Sequence, residues 1–186
     1  NLYAFDGPAR ITGAARNLAP MDAELGDPAW VFGRSSYAFG PGGSILAVAR
    51  RDGADHLLRI GADGSVTPLE ASFSELEGLR VAGDTAMAVV AGPHDGGVVL
   101  RMDAATAEPA GVLSRSLTVP LDPSVLPEAE PISFPTGDGA VARAIYFAPS
   151  NAAYRAPDGE LPPLLVLSHG GPTSSASSAL SLDRAF

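Results

Sequence analysis

A mainly β chain, carrying the C-terminal blades of a β-propeller and then the first strands of an α/β domain, is what this sequence predicts. Three observations predict it. Short apolar runs and glycine-rich turns alternate through residues 37–116. The alternation repeats at about 42 residues, the length of one four-stranded propeller blade. After residue 131 the pattern changes to a hairpin signature and then an unbroken apolar run, LLVL, which ends abruptly in HGGP.

NLYAFDG at the start reads as a late strand of a preceding blade. Residues 37–70 then run YAF, GPGG, SILAVA, RRDGAD, HLLRI, ADGS and VTPL. Each run has strand length, and each break supplies the Gly, Asp or Pro that a tight turn needs. The scheme repeats as LRVAGD, TAMAVVA, GPHDGG, VVLRM and DAAT. Aligning LLRI at residues 57–60 with VLRM at 99–102 sets the repeat. Residues 1–116 are therefore assigned to a partial propeller, about two blades plus an edge strand. A propeller closes with roughly four to eight blades, so further blades are expected upstream. A single open sheet or small sandwich is the bland alternative, and the repeat length and turn placement favour the propeller. The G-H and W-D blade signature is missing, which makes this a divergent one.

Residues 117–131, LTVPLDPSVLPEAEP, carry four prolines and little periodicity, as an inter-domain linker does. Residues 132–186 are assigned to the N-terminal part of the α/β domain. ISF and ARAIYFAP flank PTGDGAV, an antiparallel hairpin about a Gly-Asp-Gly turn. A proline-rich loop leads to LLVL, whose four consecutive apolar residues suggest a strand covered on both faces. SSALSLDRAF is expected to open a helix with Ser177 or Ser178 as its cap.

Composition narrows the function classes. An apolar fraction of 46% and a charged fraction of 18% describe a folded chain rather than a disordered one. All 12 basic residues are Arg, and the formal net charge is −9. That balance argues against nucleic-acid or anionic-membrane partners, which need basic patches. Cys is absent, which excludes disulfides and thiolate metal sites. No apolar run approaches the ~20 residues of a membrane span, and residues 1–6 lack signal-peptide character, so a cytoplasmic location is the default expectation.

The chemistry lies in HGGP. Acyl transfer passes through a tetrahedral intermediate whose oxyanion must meet fixed donors. A loop leaving the end of a buried strand can offer backbone N–H groups there, and Gly170 and Gly171 allow a sharp turn and close approach. α/β-Hydrolases use a strand-end HGGG motif in this way. Pro172 stands where the third glycine would be and has no N–H to donate. No G-x-S-x-G nucleophile elbow occurs in the chain, and Ser168, Ser174, Ser175, Ser177 and Ser178 sit in no elbow sequence.

These residues resemble the prolyl oligopeptidase family of serine peptidases, in particular its bacterial dipeptidyl and acylaminoacyl peptidase branch. SFPTGDG, APDGELPPLLVLSHGGPTS and their spacing carry the resemblance over residues 130–182, and DPAWVFGRSSYAF with both blades extends it. It implies a propeller that restricts access to an α/β-hydrolase domain, with a Ser, Asp and His triad downstream of Phe186. It implies a peptide substrate, no cofactor, no metal, and the remainder of the polypeptide as partner. His169 and Gly170 are assigned to the oxyanion-hole region by this resemblance, with the donating atom left open. Gly171 and Pro172 shape the loop. His169 is not the triad base, because the family's base comes after its nucleophile. The competing readings are an α/β-hydrolase esterase or lipase, disfavoured by Pro172 and the blades, and a non-catalytic propeller that binds peptides.

Other constellations are weaker. His56 and His94 lie in or beside Asp/Gly-rich turns, but their spacing matches no compact ligand set, and solvated turn residues are the better reading. Trp30, Phe32, Tyr37 and Phe39 could line a substrate tunnel, though aromatics at strand starts more often fill gaps between blades. Glu70, Glu75 and Glu77 could bind a peptide amino terminus, but are read as solvated surface in a loop between blades.

Overall fold

The structure, a computed structural model, describes residues 1–5, 14–27, 30–118, 121–151, 153–171 and 174–185. Two short strands open it: β1 (Tyr3–Phe5) and β2 (Ala15–Asn17), antiparallel with Ala4 opposite Arg16. Two four-stranded antiparallel meanders come next. The first contains β3 (Tyr37–Phe39), β4 (Ile45–Arg51), β5 (Ala54–Ile60) and β6 (Val66–Phe73), in that spatial order. The second contains β7 (Glu75–Ala82), β8 (Thr85–Ala91), β9 (Val98–Asp103) and β10 (Pro109–Arg115). These are two propeller blades. The LLRI and VLRM segments fall on β5 and β9, the third strand of each blade, so the sequence repeat matches the structural one.

The turns form where the chain can tolerate them. RRDGAD makes a two-residue hairpin in which Asp52 and Gly53 both have positive φ, 52° and 79°. An Asp-Gly pair is the sequence best suited to that geometry, whose twist matches the flanking strands. Asp63 and Asp103 close later turns by accepting from Ser65 N and from Ala105 N and Thr106 N.

Alternation along the strands sends side chains to two cores. Leu46, Val48 and Leu57 face blade two, where they meet Leu76, Leu79, Val90, Leu100 and Met102. Ala47, Ala49, Leu58 and Ile60 point the other way, onto Ala19 and Leu25. The first blade is thus packed on both faces. β10 is exposed along its whole length, as an outer edge strand is.

Between β6 and β7 only Ser74 intervenes, so the chain passes from the outer strand of one blade to the first strand of the next without a loop. Glu70 is therefore in β6, and Glu75 and Glu77 are in β7, contrary to the loop expected for them. His56 likewise stands within β5, opposite Ala49, rather than in the turn before it.

Beyond the blades, a 3-10 turn at Pro123–Val125 is capped by Asp122, which accepts from Ser124 N at 2.9 Å. The hairpin of β11 (Ala129–Pro135) and β12 (Val141–Phe147) pairs Ser133 with Arg143 around Gly139. β11 begins inside the stretch read as linker, because Ala129 already has Phe147 as its partner. The LLVL run at residues 164–167 forms no strand, and its side chains are 64–79% exposed. A central parallel strand needs neighbours on both edges, and among the described residues none flanks this segment. The helix also starts later than expected: α1 (Leu182–Ala185) begins after Ser181, while the Ser177 hydroxyl accepts from Ala179 N instead of capping a helix. Among the described residues no helix is long and apolar enough to cross a membrane.

Candidate active-site cleft

The loop of residues 169–171 and the ends of the blades face one open cleft of about 1360 Å³. Its propeller wall consists of residues 21–24, Asp27, Trp30, Val31, Arg34, the β4–β5 turn, Ser74 and Glu75. The β11–β12 hairpin contributes Pro131, Ile132, Ser133, Arg143, Ala144 and Ile145. His169, Gly170, Gly171 and residues 174–177 complete it. Three of the four assigned loop residues are therefore brought to the cleft, while Pro172 lies outside the described residues.

His169 is exposed, and its Nδ1 lies 2.8 Å from the carbonyl oxygen of Gly170. A carbonyl only accepts, so the proton of a neutral ring sits on Nδ1 and Nε2 is left as an acceptor. Neither Gly170 nor Gly171 has positive φ, and a Cβ added to either would meet nothing within 4 Å. The expected demand for glycine to make the turn is therefore not what this backbone shows. The space that a side chain at either position would occupy is open. Neither N–H donates to a protein acceptor among the described residues.

The propeller wall is charged and partly dry. Asp55 is almost fully buried, at 1% exposure. It accepts from Arg50 Nε at 2.8 Å, from Arg50 Nη2 at 3.2 Å and from Leu76 N at 2.8 Å. Because Asp55 belongs to β5 and Leu76 to β7, this carboxylate ties the two blades together. Burial lowers the Arg50 pKa, but the hydrogen bond and charge of Asp55, with Asp27 and Glu75, outweigh it and hold the guanidinium above its ordinary value. Arg50 also exchanges two backbone hydrogen bonds with Glu24, which anchors the 21–27 segment of the wall.

Glu75 is half-buried, and its carboxyl is pushed up by desolvation and then by the charges of Glu77 and Asp55, against the pull of Arg50. Sequence reasoning set Glu75 aside as surface, and the missing signal was its direction, which the strand-to-strand passage at Ser74 fixes. Glu77 instead pairs with Arg34 at 2.6 Å. Trp30 and Val31 reach the cleft, whereas Phe32 is exposed and Tyr37 stacks edge-on against Phe39 with ring centres 6.1 Å apart. His94 lies in the β8–β9 loop with Nε2 3.3 Å from Glu128 Oε1, and no three His, Asp or Glu side chains gather to hold a metal among the described residues.

No protein-family model matches the chain, and no curated protein sequence does. Solved structures do. A crystal structure of puromycin hydrolase is 33% identical with a TM-score of 0.87, over 100% of this chain and 28% of that one. A Mycobacterium tuberculosis puromycin-hydrolyzing peptidase is 28% identical with a TM-score of 0.83, over 92% of this chain and 27% of that one. A mutant of puromycin hydrolase complexed with PGG is 32% identical with a TM-score of 0.85, again over 100% of this chain and 28% of that one. The chain thus spans little more than a quarter of the length of these structures. Two blades, a hairpin beyond them and a likeness along the whole length of the chain to one part of these peptidases agree with the prolyl oligopeptidase family that its sequence resembles.

Proposed function

We propose that residues 1–186 form the propeller wall and oxyanion loop of a serine peptidase that hydrolyses short peptides or amino-acyl amides. One observation carries the reading: the His169–Gly170–Gly171 loop and the charged ends of the blades line the same cleft. Residues 1–116 are its partial propeller, 117–131 its linker and 132–186 the start of its α/β-hydrolase domain. The nucleophile and its Asp and His partners are assigned to polypeptide outside these residues, because no elbow sequence occurs within them.

The serine oxygen adds to the scissile carbonyl as its proton passes to the triad histidine. The carbonyl electrons become the oxyanion, and collapse expels the amine with that proton. Water then repeats the addition on the acyl-enzyme and releases the acid. We assign stabilisation of the oxyanion to the backbone N–H groups of the loop rather than to the His169 ring. With the Nδ1 proton engaged by Gly170 O, the neutral ring has no second hydrogen to offer. His169 braces the loop.

The neighbours named for puromycin hydrolysis support an amide substrate, and puromycin is itself an amino-acyl amide. The test is hydrolysis of an amino-acyl nitroanilide and of puromycin by a polypeptide extended through the hydrolase domain, with and without a serine-directed fluorophosphonate. Turnover abolished by the probe supports the reading. Turnover by residues 1–186 alone would show that the nucleophile has been misplaced.

A further inference from the structure

The loop of residues 169–171 has little of its own to hold it. The preceding apolar run is exposed, and among the described residues the loop makes one hydrogen bond, from His169 to Gly170 O. The chain a few residues beyond Gly171 is far better anchored. Ser177 Oγ donates to Ser74 O at 3.3 Å, at the passage between the blades. Ser178 Oγ donates to Gly53 O at 3.3 Å, at the tip of the β4–β5 turn. Leu180 N donates to Gly92 O at 2.9 Å, in the β8–β9 loop of the second blade. Between them Ala179 is buried. Four consecutive residues thus reach three separate points on two blades.

The segment is also fastened from behind. Arg184 Nη1 donates to Ser177 O at 2.9 Å and Nη2 to Ala179 O at 3.1 Å. The same guanidinium lies 6.0 Å from the centre of the Phe147 ring, at the end of β12. A planar, permanently charged fork can hold two carbonyls and an aromatic face together in a pre-organised geometry. These bonds join the blades, the segment and the hairpin into one connected set.

We propose that residues 177–180 act as a strap by which the propeller positions the His169–Gly171 loop, with Ser177, Ser178 and Arg184 as positioning residues. The proposal rests on reading that loop as the oxyanion loop only for its catalytic consequence. The ordering itself does not depend on that reading. A strap six residues from Gly171 sets where the loop's amides lie, and small displacements of positioned groups strongly reduce rate. The propeller then does more than screen substrates: it sets the geometry at which the oxyanion is met.

The test uses Ser177→Ala/Ser178→Ala, with Ser177→Thr/Ser178→Thr as the hydroxyl-retaining control. In the 186-residue chain, the ¹⁵N order parameters of Gly170 and Gly171 are expected near the rigid value of about 0.85 and to fall below about 0.6 in the Ala variant. Strand amides of both blades should not change, and the Thr variant should restore the loop. A loop already mobile in the wild type, or unchanged in the Ala variant, overturns the strap. In the polypeptide extended through the hydrolase domain, the Ala variant should lose roughly tenfold in kcat with KM held within about twofold. Loss of loop order with kcat intact would leave the strap standing and refute the oxyanion assignment.

Discussion

Replacing Asp55 by alanine should uncouple the two blades. The carboxylate is buried, accepts two hydrogen bonds from Arg50 and one from the backbone of Leu76, and its removal leaves all three donors without it. Breaking a buried ion pair from one side costs about 3–5 kcal/mol. The lower end applies here, because the Arg50 side chain is 29% exposed and Asp27 lies 3.7 Å away. The orphaned Leu76 N–H, on a residue only 3% exposed, adds a desolvation penalty that overlaps with this figure. The expected loss is about 3 kcal/mol, which at a urea slope of ~2 kcal/mol/M lowers the unfolding midpoint by ~1.5 M. Asp55→Asn keeps an acceptor for Leu76 N and should lose about half as much. Urea titration monitored by near-ultraviolet circular dichroism reads both. If Asp55→Ala lies within ~0.5 kcal/mol of the wild type, the carboxylate is not what joins the blades.

Leu57→Ala should cost about 3 kcal/mol in the same titration, since Leu57 is fully buried in the inter-blade core and its loss leaves a cavity. Glu75 gives a pH prediction. Its folded-state pKa is raised, so its contribution is fully present below about pH 4.3 and is lost as pH rises through the folded value. Glu75→Gln should therefore stabilise the chain at pH 7 and leave it unchanged near pH 4, measured as urea midpoints across that range. The turn aspartates Asp63, Asp103, Asp122 and Asp138 have lowered values, set by hydrogen bonds from Ser65, Thr106, Ser124 and Thr136, and act in the opposite sense. Their contribution is present above about pH 3.9 and is lost as pH falls through the folded values. Gly170→Ala should leave stability within ~0.5 kcal/mol, as the added methyl meets no protein atom, yet lower kcat/KM in the extended polypeptide at least tenfold by placing a methyl in the open space beside the loop, where the substrate carbonyl is proposed to sit.

The blades were legible because each strand carried its own punctuation. RRDGAD specifies a two-residue turn by chemistry alone, and the spacing from Leu57 to Val99 marks the same strand in successive blades. β10 was harder to see, since an outer strand exposed on both faces has no apolar alternation to display. HGGP stands out in the sequence as a candidate oxyanion loop, but the contact of His169 Nδ1 with Gly170 O is a matter of local geometry that no sequence signal carries. The misjudged LLVL strand has a physical cause. Four apolar residues report that a segment wants covering, and pairing partners decide whether it becomes a strand. Glu75 reads as solvated surface in the sequence, whereas it is half-buried beside the cleft, because its direction is set by how β6 joins β7.

The most direct measurement is a crystal structure of the extended polypeptide bearing a covalent peptide-aldehyde or boronate adduct on its serine. The account predicts the tetrahedral oxygen about 3 Å from a backbone nitrogen of the Gly170–Gly171 loop, with the peptide chain lying along the wall that carries Trp30 and Glu75. An adduct oxygen beyond hydrogen-bond reach of residues 169–171, held by donors elsewhere, would contradict it.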